Sequence, residues 1–188
     1  MAGYMNEAGA ILRFLGVLVL AGGLFGCAAG PGLHGAPLSG ERPTAKTWPR
    51  SMTERCLKLE PLIERAARTR KVDRGLIAGI IRVESGFRPW VVSHAGAIGL
   101  MQVMPRNGEK LECGPLDDPV SNIECGITVL EGFLKAYKDD LTFALSGYNA
   151  GWRMPNKAKK NGTLPANFSY VEKVLSARAH YLRNGCEL

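Results

Sequence analysis

Apolar residues recur every three or four positions through most of the chain after about residue 51, which places them on one face of an α-helix. No stretch of this segment alternates apolar and polar residues as a half-buried strand would. The segment is therefore predicted to be all-α. Its first helical region is predicted from about Leu57 to Ala66, interrupted or restarted at Pro61, because proline is tolerated at a helix start.

Residues that cap helices predict several further boundaries. Asp118 and Pro119 predict the start of one helix, and Asp140 predicts the start of another over residues 141–150. The last helix is predicted to begin at Asn167 or Ser169. The apolar spacing gives this last helix an inward face of Val171, Val174, Leu175, Ala179 and Leu182.

One predicted helix carries a carboxylate on its apolar side. Asp73 is expected to cap this helix and Gly86 to end it. Glu84 follows apolar residues at helical spacing, which are Ile77, Ile80 and Ile81. Burial and the negative end of the helix dipole both disfavour a charged carboxylate, so the pKa of Glu84 is expected to be raised, as a general acid requires. The alternative is a last helical turn that has rotated into solvent.

The first 26 residues have the organisation of a signal peptide. An apolar stretch at 14–25 follows Arg13 and is too short to span a bilayer. It runs into the sequence LFGC at 24–27, which resembles the lipobox of bacterial lipoproteins. We therefore expect Cys27 to be lipidated and to become the first residue of the mature chain. The alternative is an ordinary signal peptide that ends near Cys27.

Composition divides the rest of the chain in two. Residues 27–50 are rich in Gly and Pro and lack an apolar period, so they are predicted to form an unstructured, flexible linker. Residues 51–188 are predicted to form one domain. Within that domain, the irregular segment at 94–105 between two predicted helices is the place where a functional site is expected.

The cysteine count agrees with export. Setting Cys27 aside from the five cysteines leaves an even number, as disulfides in an oxidising compartment require. Three pairings are possible, and we favour Cys113 with Cys125 and Cys56 with Cys186. The alternative is four buried free thiols. A zinc site is less favoured because the sequence has no C-x-x-C spacing and only three histidines.

The net charge of +7 is compatible with a cell-wall polymer, a nucleic acid or a lipid surface as partner. The basic residues are scattered and form no dense arm, so charge alone does not name the partner. Lys157, Lys159 and Lys160 raise the possibility of nucleic-acid binding, but the leader directs the chain out of the cytosol. These lysines are expected to meet anionic wall peptides or to face solvent.

Four ordered motifs carry a family resemblance. They are ESGFRP at 84–89, SHAGAIGLMQVMP at 93–105, YNAG at 148–151 and YV at 170–171. In order and spacing they resemble the soluble lytic transglycosylase (SLT) family, over about residues 76–182. The resemblance implies a lysozyme-like helical domain, of the goose-type/SLT kind, with a cleft. The chain departs from the family pattern at Ser146-Gly147, where alanines are more usual, and over the distinctive stretch 152–164.

The resemblance also implies roles for individual residues. Glu84 matches the catalytic acid/base of the family, Tyr148 and Asn149 match a pair that lies against this acid, and Tyr170 matches a second tyrosine near it. Sugar-contacting roles are implied for Ser85, Met101 and Gln102. From the residues alone, Met101 could equally be core, Ser85 a helix end and Tyr148 a packing residue.

Only one catalytic carboxylate is evident, whereas most glycosidases use two. The other acidic residues near predicted turns and helix starts have local roles available, as is the case for Glu109, Glu112, Asp117, Asp118, Asp139 and Asp140. The resemblance accounts for this, because lytic transglycosylases use the C6 hydroxyl of the substrate in place of water and form 1,6-anhydro-MurNAc ends. It implies no metal and no organic cofactor.

The expected protein is therefore a peptidoglycan lytic transglycosylase of the periplasm, held by a lipid to the outer membrane. Two alternatives remain at this point. One is a hydrolytic goose-type lysozyme with the same fold and acid. The other is a non-catalytic wall-binding component of a secretion or pilus assembly, against which the intact Glu84 counts.

Overall fold

The structure is a computed structural model that describes residues 42–187. It contains seven α-helices in this range: α1 (Met52–Arg70), α2 (Arg74–Ser85), α3 (Pro105–Lys110), α4 (Pro119–Ala136), α5 (Leu141–Ala150), α6 (Arg153–Asn161) and α7 (Phe168–Asn184). Extended pairing within the described range is limited to isolated bridges at Val92–Ile98 and Ile98–Val103. The all-α prediction is confirmed. The predicted signal peptide, Cys27 and most of the predicted linker lie outside the described residues.

Helix α2 lies at the centre of the core because nearly every residue before its last turn is buried. It packs most extensively on α7. Gly79 permits this approach, since a Cβ there would lie 2.8 Å from the Val174 carbonyl oxygen. The Asp73 carboxylate accepts a hydrogen bond from the Leu76 amide at 2.7 Å and caps α2, as predicted, and Gly86 ends it in the left-handed conformation.

Helix α1 continues through Pro61, which corrects the predicted interruption. Proline has no N–H, so the Leu57 carbonyl lacks its usual helical partner. Both residues lie on the exposed side of α1, where water can satisfy that carbonyl. The helix starts in a capping box, in which the Glu54 amide donates to the Ser51 hydroxyl at 3.2 Å and the Ser51 amide donates to the Glu54 carboxylate.

The inward face of α7 differs partly from the prediction. Val171 and Val174 are buried as expected, but the stripe continues with Ala177 and Tyr181. Leu182 is 40% exposed, although its side chain covers Gly75 at the start of α2. The shift arises because the last turns of α7 face the beginning of α2, where the large Tyr181 ring fills the core.

Helices α3 and α6 were not predicted. Helix α3 has six residues, and only Gly108 is buried. Helix α6 is built almost entirely from polar residues and buries only Pro155 and Ala158. Neither helix carries the apolar period from which a helix is read in a sequence. None of the helices within residues 42–187 is long and apolar enough to cross a membrane.

The folded part of the chain begins before residue 51, which corrects the expected end of the linker. Trp48 is buried in the core, and its ring meets Trp90 edge-on with the centroids 6.4 Å apart. The Lys58 ammonium lies 4.0 Å from the centre of the Trp48 ring. Arg55 donates hydrogen bonds to the carbonyls of Pro49 and Arg50 and fixes the chain that follows Trp48.

The structure contains two disulfides with the favoured pairing. Cys113–Cys125 closes a local loop before and within α4. Cys56–Cys186 joins α1 to the end of the chain across 130 residues, and both of these cysteines are buried. A long-range link of this kind restricts the unfolded chain more than a short one does, so the second disulfide is expected to contribute more to stability.

Candidate active site

A carboxylate at the end of the central helix opens into a cavity. Glu84 lies in the last turn of α2 and is half-buried. The cavity beside it has a volume of about 270 Å³. Its lining includes Gln102, from the irregular segment, and Tyr148 and Asn149, from the end of α5. The cavity thus brings the Glu84 carboxylate together with residues from the irregular segment and from the end of α5.

Burial raises the pKa of the Glu84 carboxyl, and a hydrogen bond from Tyr170 only partly counteracts this effect. The Tyr170 hydroxyl donates to Oε1 of Glu84 at 2.7 Å. Oε2 remains available to carry a proton. Because Tyr170 stabilises the carboxylate without bringing a positive charge, Glu84 keeps a pKa above the ordinary value for glutamate. This is the state that a general acid needs.

Tyr148 supports the cavity wall and does not bond to the acid. Its hydroxyl donates to the Met101 carbonyl oxygen at 2.7 Å, which ties α5 to the irregular segment. Burial, followed by the charge of Glu84, raises the pKa of Tyr148 well above its usual value. Tyr148 therefore stays neutral beside Glu84. Of the two tyrosines matched to the family, Tyr170 is the one in direct contact with the acid.

The irregular segment, together with the chain that precedes it after α2, is held by side-chain amides. Gln102, with φ of 49°, donates from its amide nitrogen to the carbonyls of Val91 and Gly99, each at 3.0 Å. Asn122 on α4 accepts from the Met101 amide at 2.8 Å and donates to the Ile98 carbonyl at 2.9 Å. A Cβ at Gly99 would lie 2.3 Å from the Asn122 amide nitrogen, so only glycine fits there.

Asn122 is a site-supporting residue that sequence reasoning missed. It is fully buried on the apolar face of α4, next to Ile123 and three residues from Cys125. A polar residue on a buried stripe was the available signal, because such a residue must find hydrogen-bond partners inside the protein. The partners are backbone groups of the irregular segment and the Leu116 carbonyl, so their position becomes known only from the fold.

Two expected sugar contacts are corrected. Ser85 is buried, its hydroxyl donates to the Ile81 carbonyl at 3.1 Å, and it accepts from the Arg88 amide at 3.3 Å. The Met101 side chain is fully buried in the core against Gly126. Neither side chain lines the cavity. Ser85 thus finishes α2, and Met101 anchors the irregular segment.

Glu84 is the only carboxylate that lines this cavity among the described residues. The acidic residues with expected local roles include Asp118, which caps α4, and Asp140, which caps α5. Asp117 pairs with Arg42 at 3.2 Å on the surface. The site therefore offers one proton donor and acceptor, and it provides no second carboxylate that could act as a nucleophile.

Comparison with known proteins assigns the chain to a family. Residues 61–167 match the family model described as the transglycosylase SLT domain. The chain therefore belongs to the SLT transglycosylase domain family. The match includes Glu84, the irregular segment and the YNAG motif, which are the parts that form the cavity.

The chain is also similar to individual proteins. Membrane-bound lytic murein transglycosylase C of Haemophilus influenzae is 34% identical over 142 residues, which cover 64% of this chain and 40% of the relative. The protein of the same name from Histophilus somni is 38% identical over 109 residues, 48% of this chain and 30% of that one. This chain thus spans at most 40% of the length of these two relatives.

Solved structures share the fold. The 70-kDa soluble lytic transglycosylase of Escherichia coli superposes with a TM-score of 0.58 at 25% identity, over 66% of this chain and 24% of that chain. A complex of the 70-kDa soluble lytic transglycosylase with bulgecin A gives a TM-score of 0.61 at 26% identity, over 70% and 25% of the two chains. The lysozyme-like fold expected from the motifs is confirmed.

Proposed function

We propose that the protein is a peptidoglycan lytic transglycosylase that cleaves the MurNAc-β-1,4-GlcNAc bond and leaves 1,6-anhydro-MurNAc ends. The observation that carries the proposal is a single half-buried carboxylate, Glu84, whose pKa is raised by burial and which lines a cavity that holds no second carboxylate from residues 42–187. The family of the domain and the names of its relatives support the same activity.

In the first step, protonated Glu84 donates its proton to the oxygen that links MurNAc C1 to GlcNAc C4. The C1–O bond breaks, and positive charge develops on the MurNAc ring. Tyr170 stabilises the carboxylate that forms, because its hydroxyl already donates to Oε1 of Glu84. Oε2 is then the oxygen that delivers the proton.

In the second step, the Glu84 carboxylate accepts the proton of the MurNAc C6 hydroxyl. The C6 oxygen bonds to C1 and closes the 1,6-anhydro ring. Glu84 is thereby protonated again, and no water is consumed. One residue serves as acid and then as base, which agrees with the absence of a second carboxylate from the cavity lining among residues 42–187.

Three further residues contribute to this site in the proposal. Gln102 holds the cavity wall through its amide nitrogen while its side chain lines the cavity. Tyr148 closes the wall between α5 and the irregular segment. Asn149 presents an exposed amide at the rim, where a sugar can reach it. Binding by these neutral polar groups suits an uncharged sugar backbone.

Product analysis tests the reaction type. Purified protein is incubated with intact peptidoglycan, and the released muropeptides are weighed by mass spectrometry before and after borohydride reduction. The expected products are lighter by one water than hydrolysed ones and resist reduction. Reducible, hydrated ends would identify a muramidase. An unchanged polymer that nevertheless binds the protein would identify a non-catalytic wall-binding component.

We further propose that residues 1–26 are a signal peptide, that lipidated Cys27 anchors the domain in the periplasm, and that the anchor lies in the outer membrane. The LFGC sequence supports lipidation, and Ala28 and Ala29 offer no aspartate signal for inner-membrane retention. Metabolic labelling with a palmitate analogue, followed by membrane fractionation, tests this. Equal labelling of the wild type and Cys27→Ala would contradict the anchor.

A further inference from the structure

Ser146 and Asn167 form a partly buried link next to Asn149. Ser146 is fully buried in α5, and its hydroxyl donates to Oδ1 of Asn167 at 2.7 Å. Asn167 precedes α7 but makes no side-chain cap there. Its amide nitrogen instead donates to the Ser146 carbonyl at 3.2 Å and to Oδ1 of Asn149 at 3.0 Å. Ser146 is one of the positions at which this chain departs from the family pattern.

These bonds fix the orientation of both amides. The Ser146 main-chain carbonyl can only accept, so the atom of Asn167 that faces it must be the amide nitrogen. The Ser146 hydroxyl must then donate to Oδ1 of Asn167. The second N–H of Asn167 can meet only an acceptor, so Asn149 turns its oxygen toward Asn167. The amide nitrogen of Asn149 is the atom left for the cavity that Asn149 lines.

We propose that Ser146 and Asn167 are positioning residues that hold Asn149 so that its amide N–H donates to an oxygen of the bound glycan. This inference rests on the proposed function, because the glycan is the ligand of that cavity. The carbonyl of Ser146 anchors the link, Asn167 transmits the orientation, and Asn149 contacts the sugar. Without the link, Asn149 would be an exposed side chain with both amide orientations accessible.

A double-mutant cycle tests this link. Asn167→Ala is expected to lower kcat/KM on glycan strands about tenfold through a misplaced donor, and Asn149→Ala is expected to lower it at least as much. The double variant should match Asn149→Ala alone, because Asn167 acts through Asn149. Ser146→Ala should give a smaller loss, since the bond from Asn167 to the Ser146 carbonyl survives. Exposed Ser169→Ala is the matched control and should leave activity unchanged.

The same cycle is measured a second time as the affinity of the Glu84→Gln protein for a MurNAc-GlcNAc oligosaccharide. Rates and affinities are scaled to the folded fraction found by thermal unfolding, which separates positioning from a loss of folded protein. Additive effects of the Asn149 and Asn167 substitutions in both measurements would overturn the link. Coupling in binding with no turnover by the wild type would support the link and contradict the proposed function.

Trp152 provides an independent feature at the same end of the molecule. Its side chain is 49% exposed, and its ring packs against Phe133 with the centroids 4.2 Å apart and the ring planes tilted by 38°. Phe133 lies over Gly147, where a Cβ would come within 2.4 Å of the Phe133 ring. Glycine at this position, in place of the more usual alanine, therefore lets Phe133 approach α5 and support the indole from below.

The indole is linked to the wall of the cavity through Phe133. Val129 and Tyr148 line the cavity and also pack against the cluster that contains Phe133. Asn149, at the rim, precedes Trp152 by three residues. The adjoining helix α6 is basic and carries no acidic residue, with exposed side chains at Arg153, Lys157, Lys159 and Lys160. An exposed aromatic ring beside a basic face is suited to a sugar strand that carries anionic peptides.

We infer that Trp152 is a stacking platform for a sugar ring of the glycan strand, at a distance from the bond that Glu84 cleaves. This inference also rests on the proposed function. Phe133 holds the indole in place, so the Trp152 side chain loses little conformational freedom when a pyranose binds to it. The occupant is the strand on which Glu84 acts, and the platform extends the length of strand that the protein holds.

Binding to the Glu84→Gln protein tests the platform without turnover. Trp152→Ala should weaken binding of long glycan strands about tenfold, the loss of one good stacking contact, and leave binding of a disaccharide unchanged. Leu164→Ala, which removes an apolar side chain that is 61% exposed, is the matched control and should change neither affinity. Trp152→Phe should fall between the wild type and Trp152→Ala.

Tryptophan fluorescence reports the same contact directly. The chain has three tryptophans, of which Trp48 is buried and Trp152 is the exposed one. Long strands should change the emission, and Trp152→Phe should abolish this change. Equal affinities of Trp152→Ala and its parent for long strands would overturn the platform. Strand binding that depends on Trp152, combined with no turnover of peptidoglycan by the wild-type protein, would support the platform and contradict the proposed function.

Discussion

The two ends of helix α2 each carry a carboxylate, and the two carboxylates have opposite properties. Burial would raise the pKa of Asp73, but hydrogen bonds from the Arg178 guanidinium, at 2.8 Å, and from the Leu76 amide outweigh it and lower this pKa. Burial also raises the pKa of Glu84, where the only opposing contact is the neutral hydroxyl of Tyr170. One helix thus holds a structural anion at its start and, at its end, a carboxyl with a raised pKa, which is the proton donor in the proposed function.

The difference shows what separates a stabilising carboxylate from a reactive one. Asp73 lies at the positive end of the helix dipole and has a cationic partner, so folding favours its charge. Glu84 lies at the negative end, without a cationic partner within salt-bridge distance in the described part of the chain. The protein thereby keeps at Glu84 a carboxyl whose pKa lies above the ordinary glutamate value.

The largest expected effect is on turnover. Glu84→Gln should lower kcat on peptidoglycan by on the order of a thousandfold, because the amide cannot donate or accept the proton. Its fold and its affinity for glycan should remain. Asp73→Asn is the matched change at the other end of α2 and should leave kcat per folded molecule as in the wild type. An equal loss of kcat in both variants would contradict the division of roles.

The second expected effect concerns the two tyrosines. Tyr170→Phe removes the hydrogen bond to Glu84 and should lower kcat about tenfold or more, as expected for a bond to a group that becomes charged. Because that bond favours the carboxylate, its loss should raise the pKa of Glu84 further and move the basic limb of the pH–rate profile to higher pH. Tyr148→Phe should lower kcat to a level between the wild type and Glu84→Gln. It should leave the basic limb of the pH–rate profile at the same pH.

The third expected effect is on stability. Asp73→Ala should lower the free energy of unfolding by about 1–2 kcal/mol, the combined loss of a helix cap and a partly exposed ion pair. Asp73→Asn retains a good capping residue and should lose less than about 1 kcal/mol. Denaturant unfolding measures both. A loss in Asp73→Asn as large as in Asp73→Ala would mean that the ion pair with Arg178 outweighs the cap.

The smallest expected effect is the pH dependence of stability at Glu84. The pKa of Glu84 is higher in the folded protein than in the unfolded chain. The protein therefore loses stability as the pH rises from the pKa of the unfolded chain to the pKa of the folded protein. Glu84→Gln should therefore unfold at a higher temperature than the wild type at neutral and higher pH. The difference should vanish below about pH 4, where the carboxyl is protonated in both the folded and the unfolded state. A difference that grows in acid would mean a lowered pKa.

Local sequence signals predicted many features of the two ends of α2. The cap at Asp73, the end at Gly86 and the inward face of Glu84 follow from helical spacing and from residues that act on their own neighbours. The family motifs also assigned Glu84, Gln102 and Tyr148 to one site, and all three line the same cavity. Each of these features depends either on neighbouring residues or on motifs shared with a family. Both can be recognised in a single sequence.

The features that were missed depend on contacts between distant segments. The support of the irregular segment by Asn122 and the burial of Trp48 each join residues that are far apart in sequence. The family resemblance placed Tyr170 near Glu84, but the hydrogen bond between them is known only from the fold. Helix α6 has no apolar period because it buries only Pro155 and Ala158. Tertiary packing settles such details, and the local pattern does not carry them.

The most direct test of the central claim is a measurement of both carboxyl pKa values in one sample. Carbon-detected NMR of the wild-type domain, titrated with pH and assigned with Glu84→Gln and Asp73→Asn, gives each value separately. The structure predicts a pKa for Glu84 above the ordinary glutamate value and a pKa for Asp73 below the ordinary aspartate value. A Glu84 carboxyl that titrates at or below the ordinary value would contradict its assignment as the proton donor.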